Sequence, residues 1–411
     1  MRESRGRSGP KVVVVGGSLG GLNTALWLRD AGCEVEVFER SPVPLEDRGV
    51  GIVLHPATLR YFVAHDLPER DRVGATAGWF RYLRTDGSVA HQEPCRYRFT
   101  AYHALYVAWI RCLGPGRYHL GRECVGFEQD RQGVRVRFAG EETERCDLLV
   151  CADGINSTGR RQLLPEVRPR YAGYVAWRGA VAEEALSPGS FAVLHGAITY
   201  SILPDSHALA YPIPAAEGGP GSGRRLINWL WYRNVGAGEE LEDLLTTRTG
   251  ERFGSSVPPG LVRETHLRRL REQAAALPPP FAEMLLATDR PFIQVVFDLE
   301  VPRMAFGRVC LVGDAAFTAR PHAAAGTAKA AENAWALGEA LKAADGDVVE
   351  ALRAWEPGQL ALGRGLVRRS REAGERLQSG RWAVGEPLAF GLYRSGDSTL
   401  DEEGMRMSGA S

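Results

Sequence analysis

The sequence predicts an α/β fold: a parallel-sheet domain, discontinuous along the chain, that carries an inserted, mostly antiparallel sheet domain. Three observations predict it. Apolar runs at 11–15, 148–151 and 309–312 each end in a glycine-punctuated turn that opens a helix. From 170 to 300 the character changes to strand-like segments rich in β-branched and aromatic residues, namely YAGYVAWRGAV, FAVLHGAITYSIL, HALAYPIP, RRLINWLWYRN and PFIQVVFDLEV. The chain has 411 residues, enough for two interleaved domains with sizeable cores.

Residues 11–15 read as a fully buried strand, Gly16-Gly17-Ser18-Leu19-Gly20-Gly21 as a turn, 22–31 as a helix with Gly32 at its C-terminal cap, and 34–39 as a second strand. That is a Rossmann-like βαβ opening with a dinucleotide fingerprint. Gly16 permits the tight turn and Gly21 the close packing of helix on strand. Ser18 replaces the glycine that normally lets backbone approach a pyrophosphate, and its small hydroxyl can donate to a phosphate oxygen. Gly16, Ser18, Leu19 and Gly20 are therefore candidate cofactor contacts. Glu39, followed by Arg40, ends the second strand, where a carboxylate binds both hydroxyls of an adenosine ribose and disfavours a 2′-phosphate. The tightly held nucleotide is expected to be FAD or NAD, not NADP.

The third run leads into Gly313-Asp314, a loop with Arg320, Pro321, His322 and Gly326, and an alanine-rich helix. A carboxylate at a strand end can accept hydrogen bonds from ribityl hydroxyls. The helix N-terminus offers N–H groups and positive potential to an anion. A loop of glycine and alanine lets a flat ring lie against the backbone. Gly313, Asp314, Pro321, Gly326 and Thr327 join the cofactor candidates. The segment 147–161 repeats this logic through Asp153 and Gly154, with Ser157 as a helix cap. In 48–54, two glycines two apart allow backbone close to a ring and Arg48 can sit over it, adding Arg48, Gly51 and Ile52. A dehydrogenase using NAD alone has no need of three such turns; their placement near 16, 153 and 313 favours a flavin.

GDAAFTARPHAAAGTAKAAENA, ADGINSTGR (with Ala152, Asp153, Gly154, Ser157 and Arg160) and YAGYVAWRG with AYPIP resemble the motifs of the group A flavoprotein aromatic hydroxylases. The likeness is strongest to their 2,6-dihydroxypyridine 3-hydroxylase branch, where RPHAAAG and AKA recur. The usual family form has Pro-Pro, and Gly-Gln-Gly before an Asn. This chain has Arg320-Pro321, Ala325-Gly326-Thr327 and Lys329 at the Asn place.

The resemblance implies a fold like that of p-hydroxybenzoate hydroxylase. Its FAD-binding domain would comprise 10–75, 98–170 and 286–375, its substrate-binding sheet domain 76–97 and 171–285, and a C-terminal tail 376–411. It implies tightly bound FAD and transient NADH or NADPH, in keeping with the lack of a second complete fingerprint. It implies O₂ as co-substrate, taken up by reduced flavin as a C4a-hydroperoxide that hydroxylates a hydroxypyridine-like or phenolic ring, in catabolism or secondary-metabolite tailoring. Water must then be excluded, which an apolar, aromatic sheet suits. The alternative is a flavoprotein oxidase or reductase on the same scaffold, without oxygen insertion; a non-catalytic nucleotide-binding protein is the third reading.

Substrate contacts are expected from Tyr200, Tyr211 and Trp229, with Trp231 and Phe297 as further pocket candidates. His322 is the titratable residue of the cofactor loop; an ordinary histidine pKa of about 6.5 would let it take a proton from a ring hydroxyl near neutrality. Arg178 is the second catalytic candidate, as a cation for an anionic ring. His55 reads as structural. Elsewhere the pattern predicts a hairpin around Asp86-Gly87, helices at 102–113, 238–247 and 261–276, a flexible glycine-rich loop at 217–223, a solvated arginine-rich helix face after 347 and a loose end at 394–411.

Composition excludes other classes. Fifty basic and fifty acidic residues leave no net charge and no footprint for nucleic acid or an anionic membrane. Lysine occurs only at Lys11, Lys329 and Lys342, so arginine clusters carry little weight. Seven scattered cysteines lack metal or disulfide spacing and suggest a reducing, cytoplasmic setting, with no metal. The N-terminal apolar run is broken by glycines as no signal peptide is, and no run reaches membrane-spanning length. The expected partner is a small aromatic molecule; a long apolar chain on its ring and a homo-oligomer both stay open.

Overall fold

Two sheets organise the structure, a computed structural model that describes residues 9–46, 51–215, 225–388 and 390–392. The cofactor-side sheet has six strands in the order Ala305–Phe306, Val309–Leu311, Leu148–Cys151, Lys11–Val15, Glu34–Phe38 and Tyr118–His119. All neighbours are parallel except the 305–306 edge. Val12, Val13, Val14, Leu148, Leu149 and Val150 are wholly buried, as parallel strands covered on both faces must be. Val15 is level with Cys151, and Cys151 with Leu311. The amide of Ala152 donates to Val15 O (2.8 Å) and that of Val312 to Cys151 O (3.0 Å). All three glycine turns therefore leave the sheet from one edge.

The helices Leu19–Asp30 and Gly326–Ala343 pack on this sheet and on each other through small side chains. A Cβ at Gly338 would lie 3.0 Å from Trp27 O, so the alanine-rich composition is what lets the two helices approach. A three-stranded antiparallel sheet, Cys124–Gln129, Val134–Phe138 and Thr143–Cys146, flanks them.

The large sheet runs Ser256–Val257, Phe292–Glu300, Arg170–Ala182, Arg225–Asn234, Ser206–Pro214, Ala197–Leu203, Ala75–Leu83, Val89–Ala101 and Gly51–Leu54, with Phe317–Thr318 paired to Phe292–Glu300. Only 197–203 beside 75–83 is parallel. Gly51–Leu54, the end of Val89–Ala101 and Phe292–Glu300, assigned above to the cofactor half, pair into the large sheet. Composition does not reveal a ladder partner.

Strand alternation decides which residues face the cofactor side. Leu230 and Tyr232 do, with Leu209, Tyr211 and Tyr200 from neighbouring strands. Trp229 and Trp231 consequently point to the opposite core, with Met284 and Leu285 of the Pro279–Ala287 helix. Trp229 Nε1–H donates to Thr288 Oγ1 (2.8 Å). The expectation that Trp229 contacts substrate is thus corrected, and Trp231 goes with it.

The arginine-rich segment keeps the expected solvated face, with Arg364 and Arg368 exposed, while its apolar face packs inward. It forms the helix Val348–Gln378, which buries Leu362, Leu366, Val367, Gly374 and Leu377. Its arginines reach inward or along the surface: Arg371 Nε lies 3.2 Å from Asp298 Oδ2, and Arg376 pairs with Glu386. Beyond it, Trp382 Nε1–H donates to Tyr82 Oη (3.2 Å), so the described part of the expected tail packs on the large sheet. The loop 217–223, the end 394–411 and Arg48 lie outside the described residues. Helices at Pro56–Ala64, Pro188–Leu194 and Pro279–Ala287 were missed; each begins with proline at its first positions, a usable signal. No helix among the described residues is long and apolar enough to cross a membrane.

Because Trp229 is core and not cavity wall, Trp229→Ala should cost about 3–5 kcal/mol of stability. The urea midpoint should fall while the substrate KM of the folded fraction stays near wild type.

Candidate active site

Two cavities lie along the edge where the three turns emerge. The first, about 240 Å³, is lined by Gly16, Ser18, Glu39, Arg40, Arg122, Asp153, Gly154 and their neighbours. Gly16 has φ +100°, a conformation that excludes a side chain without strain. The Glu39 carboxylate, 5% exposed, accepts from Gly17 N–H (2.8 Å) and Ser41 N–H (2.9 Å) and so holds the turn against the second strand. Ser18 Oγ lies 2.8 Å from Tyr102 Oη. Asp153 Oδ2 accepts from Thr158 N–H (2.7 Å), whereas its Oδ1 is buried without a partner. Burial raises its pKa despite those bonds. Ser157 caps the following helix through Arg160 N–H (2.9 Å), and the buried Arg160 guanidinium donates to Ala315 O (3.1 Å) and to Ile155 O, tying the second turn to the third.

The second cavity, about 290 Å³, is walled by Gly51, Ile52 and Val53, by the large sheet through Arg178, Tyr200, Tyr211 and Tyr232, and by the loop from Asp314 to Thr327. Tyr211 Oη–H donates to Gly51 O (3.0 Å), and the Tyr211 ring fills the space a Gly51 side chain would need. Lys329, 1% exposed, donates to Asp314 Oδ1 (2.7 Å) and to Phe317 O. Arg320 is buried on Asp298 through Nε (3.1 and 3.2 Å) and Nη2 (2.9 Å). The helix Gly326–Ala343 starts at the cavity with no side-chain cap on its first N–H groups, an arrangement suited to an anionic group.

Two family models match the chain, an FAD binding domain over residues 10–191 and an FAD binding domain-like region over 171–298. The chain is 37% identical to the 2,6-dihydroxypyridine 3-monooxygenase of Paenarthrobacter nicotinovorans over 93% of this chain and 96% of that protein. It belongs to the group A flavoprotein aromatic hydroxylases. A 3-amino-4-hydroxybenzoate 2-monooxygenase of Streptomyces platensis is 30% identical over 89% of this chain and 88% of its own length. The solved 2,6-dihydroxypyridine-3-hydroxylase from Arthrobacter nicotinovorans superposes with a TM-score of 0.89 at 37% identity, covering 94% of this chain and 98% of that one.

The residues present fit the FAD of this hydroxylase family. The orphaned Asp153 Oδ1 and Arg122 Nε are buried polar atoms in the first cavity that await a polar ligand. Glu39 would hold ribose hydroxyls, and Asp314 with the Gly326 helix start the flavin end. Leu19, Gly20 and Gly313 line neither cavity. Leu19 is buried at the start of its helix, a Cβ at Gly20 would lie 3.4 Å from Ala330 Cβ, and Gly313 N–H donates to Asn333 Oδ1 (3.0 Å). These three shape the turns.

His322 lines the second cavity, as expected, but is not poised near neutrality. Burial, with His207 and Arg320 nearby, drives its pKa well below the usual histidine value, and its Nε2 is engaged by Tyr174 Oη (2.7 Å). Arg178 also lines the cavity; Nη1 donates to Gln294 Oε1 (2.6 Å), and no carboxylate pairs with it among the described residues. Sequence reasoning missed Tyr174, Tyr232 and Asp298, whereas His55 is structural as expected. The ring of His55 bonds Ala324 O through Nε2 (2.9 Å), and Ala324 sits at φ +52°, a strained conformation for a residue with a side chain, in the cofactor loop.

Glu39→Ala should weaken FAD binding about tenfold to a hundredfold, from loss of charge-assisted hydrogen bonds, read by titrating apoprotein with FAD. His55, His207 and His322 are neutral in the fold, with pKa lowered to about 4, about 3 and well below normal, chiefly by burial. The unfolded chain takes up these protons near pH 6.5, about the ordinary value. Their contribution is therefore complete above about pH 6.5, and the urea midpoint should fall as pH drops from there towards 4.

Proposed function

We propose that the protein hydroxylates a compact, electron-rich ring of the hydroxypyridine or phenol type, using FAD, NADH or NADPH, and O₂. The observation that carries this reading is the second cavity. It sets an arginine without a carboxylate partner, Arg178, and two buried phenols without hydrogen-bond partners among the described residues, Tyr200 and Tyr232, against the cofactor loop. Burial raises the pKa of both phenols, so they stay neutral and offer hydrogen bonds.

FAD, once bound and reduced, supplies the activation of dioxygen. The chain's own residues do the rest. Arg178 compensates the charge of an ionised ring oxygen. Tyr200 and Tyr232 orient the ring by its polar substituents. Leu209, Leu230, Ile198 and Phe390 keep water from the reacting face. Phe80 stacks on Tyr200 (5.4 Å, 8°) behind the wall, which favours a single ring over one with a long apolar chain. We read the protein as cytoplasmic, in keeping with seven free cysteines.

A screen of hydroxypyridines and phenols should find a compound that raises NAD(P)H oxidation and acquires one ¹⁸O atom from ¹⁸O₂. Stimulated oxidation with no label in the product would favour the oxidase or reductase reading. Arg178→Met should raise KM for an anionic substrate about tenfold to a hundredfold, the worth of one charge-assisted hydrogen bond, with FAD content unchanged.

A further inference from the structure

The two ring nitrogens of His322 have different surroundings. Nε2 faces Tyr174 Oη at 2.7 Å in a buried contact. The same edge of the ring lies against the long helix at Gly374, where a Cβ would come within 2.6 Å of His322 Cδ2, 2.9 Å of Nε2 and 2.7 Å of Tyr174 Oη. Nδ1 is on the opposite edge and makes no hydrogen bond among the described residues, and the ring lines the second cavity.

The proton on this ring can be located by donor counting. Tyr174 is 2% exposed, so its phenolic hydrogen needs an acceptor within the fold. The Arg320 guanidinium lies beside the phenol, its carbon 5.6 Å from the ring centroid. A guanidinium only donates. The acceptor left for the phenolic hydrogen is His322 Nε2, so the hydrogen of the neutral imidazole is on Nδ1. Asp298 fixes Arg320 in turn, with Arg371 closing the far side.

The neighbouring histidine does not alter this. Asn234 Nδ2 donates to Asp205 O (2.9 Å), which can only accept. Asn234 Oδ1 therefore accepts from Gln378 Nε2 (2.8 Å), and Gln378 Oε1 from His207 Nδ1 (2.7 Å). His207 keeps its hydrogen on Nδ1, turned to Gln378; its Nε2 is bare and buried without a partner.

We propose that Asp298, Arg320 and Tyr174 lock His322 as a neutral ring presenting Nδ1–H to the cavity, so that it binds an acceptor oxygen of the substrate and does not withdraw its proton. Tyr174, Arg320 and Asp298 are positioning residues, and Gly374 makes the room for them. The substrate then enters with its activating oxygen already ionised or in the pyridone form. This deepens the reading of the second cavity given above and rests on it for the identity of the ligand.

The test is nitrogen NMR of holoenzyme labelled with ¹⁵N-histidine, the His322 signals being those lost in His322→Asn. The expected result is a neutral Nδ1–H ring, converted towards Nε2–H in Tyr174→Phe. A wild-type ring carrying its hydrogen on Nε2, or protonated on both nitrogens, overturns the proposal. Kinetics give a second measurement should Tyr174→Phe not fold. His322→Asn places an amide N–H near the Nδ1 position and His322→Gln near Nε2, so Asn should retain about tenfold more substrate affinity than Gln, the worth of one hydrogen bond. Equal losses, or the reverse order, contradict it. The tautomer is read without substrate, so it fails or stands independently of whether the enzyme proves to be a hydroxylase.

Discussion

The register that brings Val15, Cys151 and Leu311 to one level is the constraint on which the rest depends. Parallel strands cannot be joined by short hairpins, so the three segments come from chain positions more than a hundred residues apart and are aligned only by their ladder. Once aligned, the Gly16, Asp153 and Asp314 turns have nowhere to go but the same edge. Arg160, bridging from the second turn to Ala315 O, is the covalently unrelated tie that keeps two of them together. A slip of one residue in any of these strands would turn its carboxylate or glycine away from the shared edge.

Around that edge the charges are arranged in two manners. In the first cavity, polar atoms are left short of partners, Asp153 Oδ1 and Arg122 Nε among them, which suits a large polar ligand that completes the network. Behind the second cavity, charges are paired internally: Lys329 on Asp314, Arg320 on Asp298. Arg320 and Lys329 are both buried, so losing Asp298 or the half-exposed Asp314 strands a cation in low dielectric; the two pairs thereby hold the loop geometry while the aromatic wall stays neutral. Arg178 is the exception, a cation facing the cavity with an amide and a carbonyl for company. That asymmetry is what turns an apolar slot into a site for an anionic ring.

Much of this was legible in the residues, for a physical reason. Strand-turn-helix units announce themselves through glycine and through apolar runs, so all three turns, Glu39, Ser157 as a cap and the Tyr102–Leu113 helix could be read directly. What could not be read was the phase of an alternating strand. In RRLINWLWYRN every second residue is large, and size favours Trp229 over Tyr232; only pairing with neighbours shows that Tyr232 faces the cavity. Long-range partners were equally hidden. Asp298 carries no local mark of its bond to Arg320, His322 none of its bond to Tyr174, and the arginine-rich helix none of the loop it covers. Its glycines, Gly363 against the Phe317 ring and Gly374 against His322, were the overlooked signal.

The central claim is that three strand ends hold one flavin whose ring borders the aromatic cavity. Titration of apoprotein with FAD, followed by addition of a stimulating ring compound, tests it most directly. The account predicts saturation at a single FAD per chain and a perturbed visible flavin spectrum when the compound binds. A protein that does not take up FAD, or a bound flavin whose spectrum ignores a ligand that is shown to bind, would contradict it.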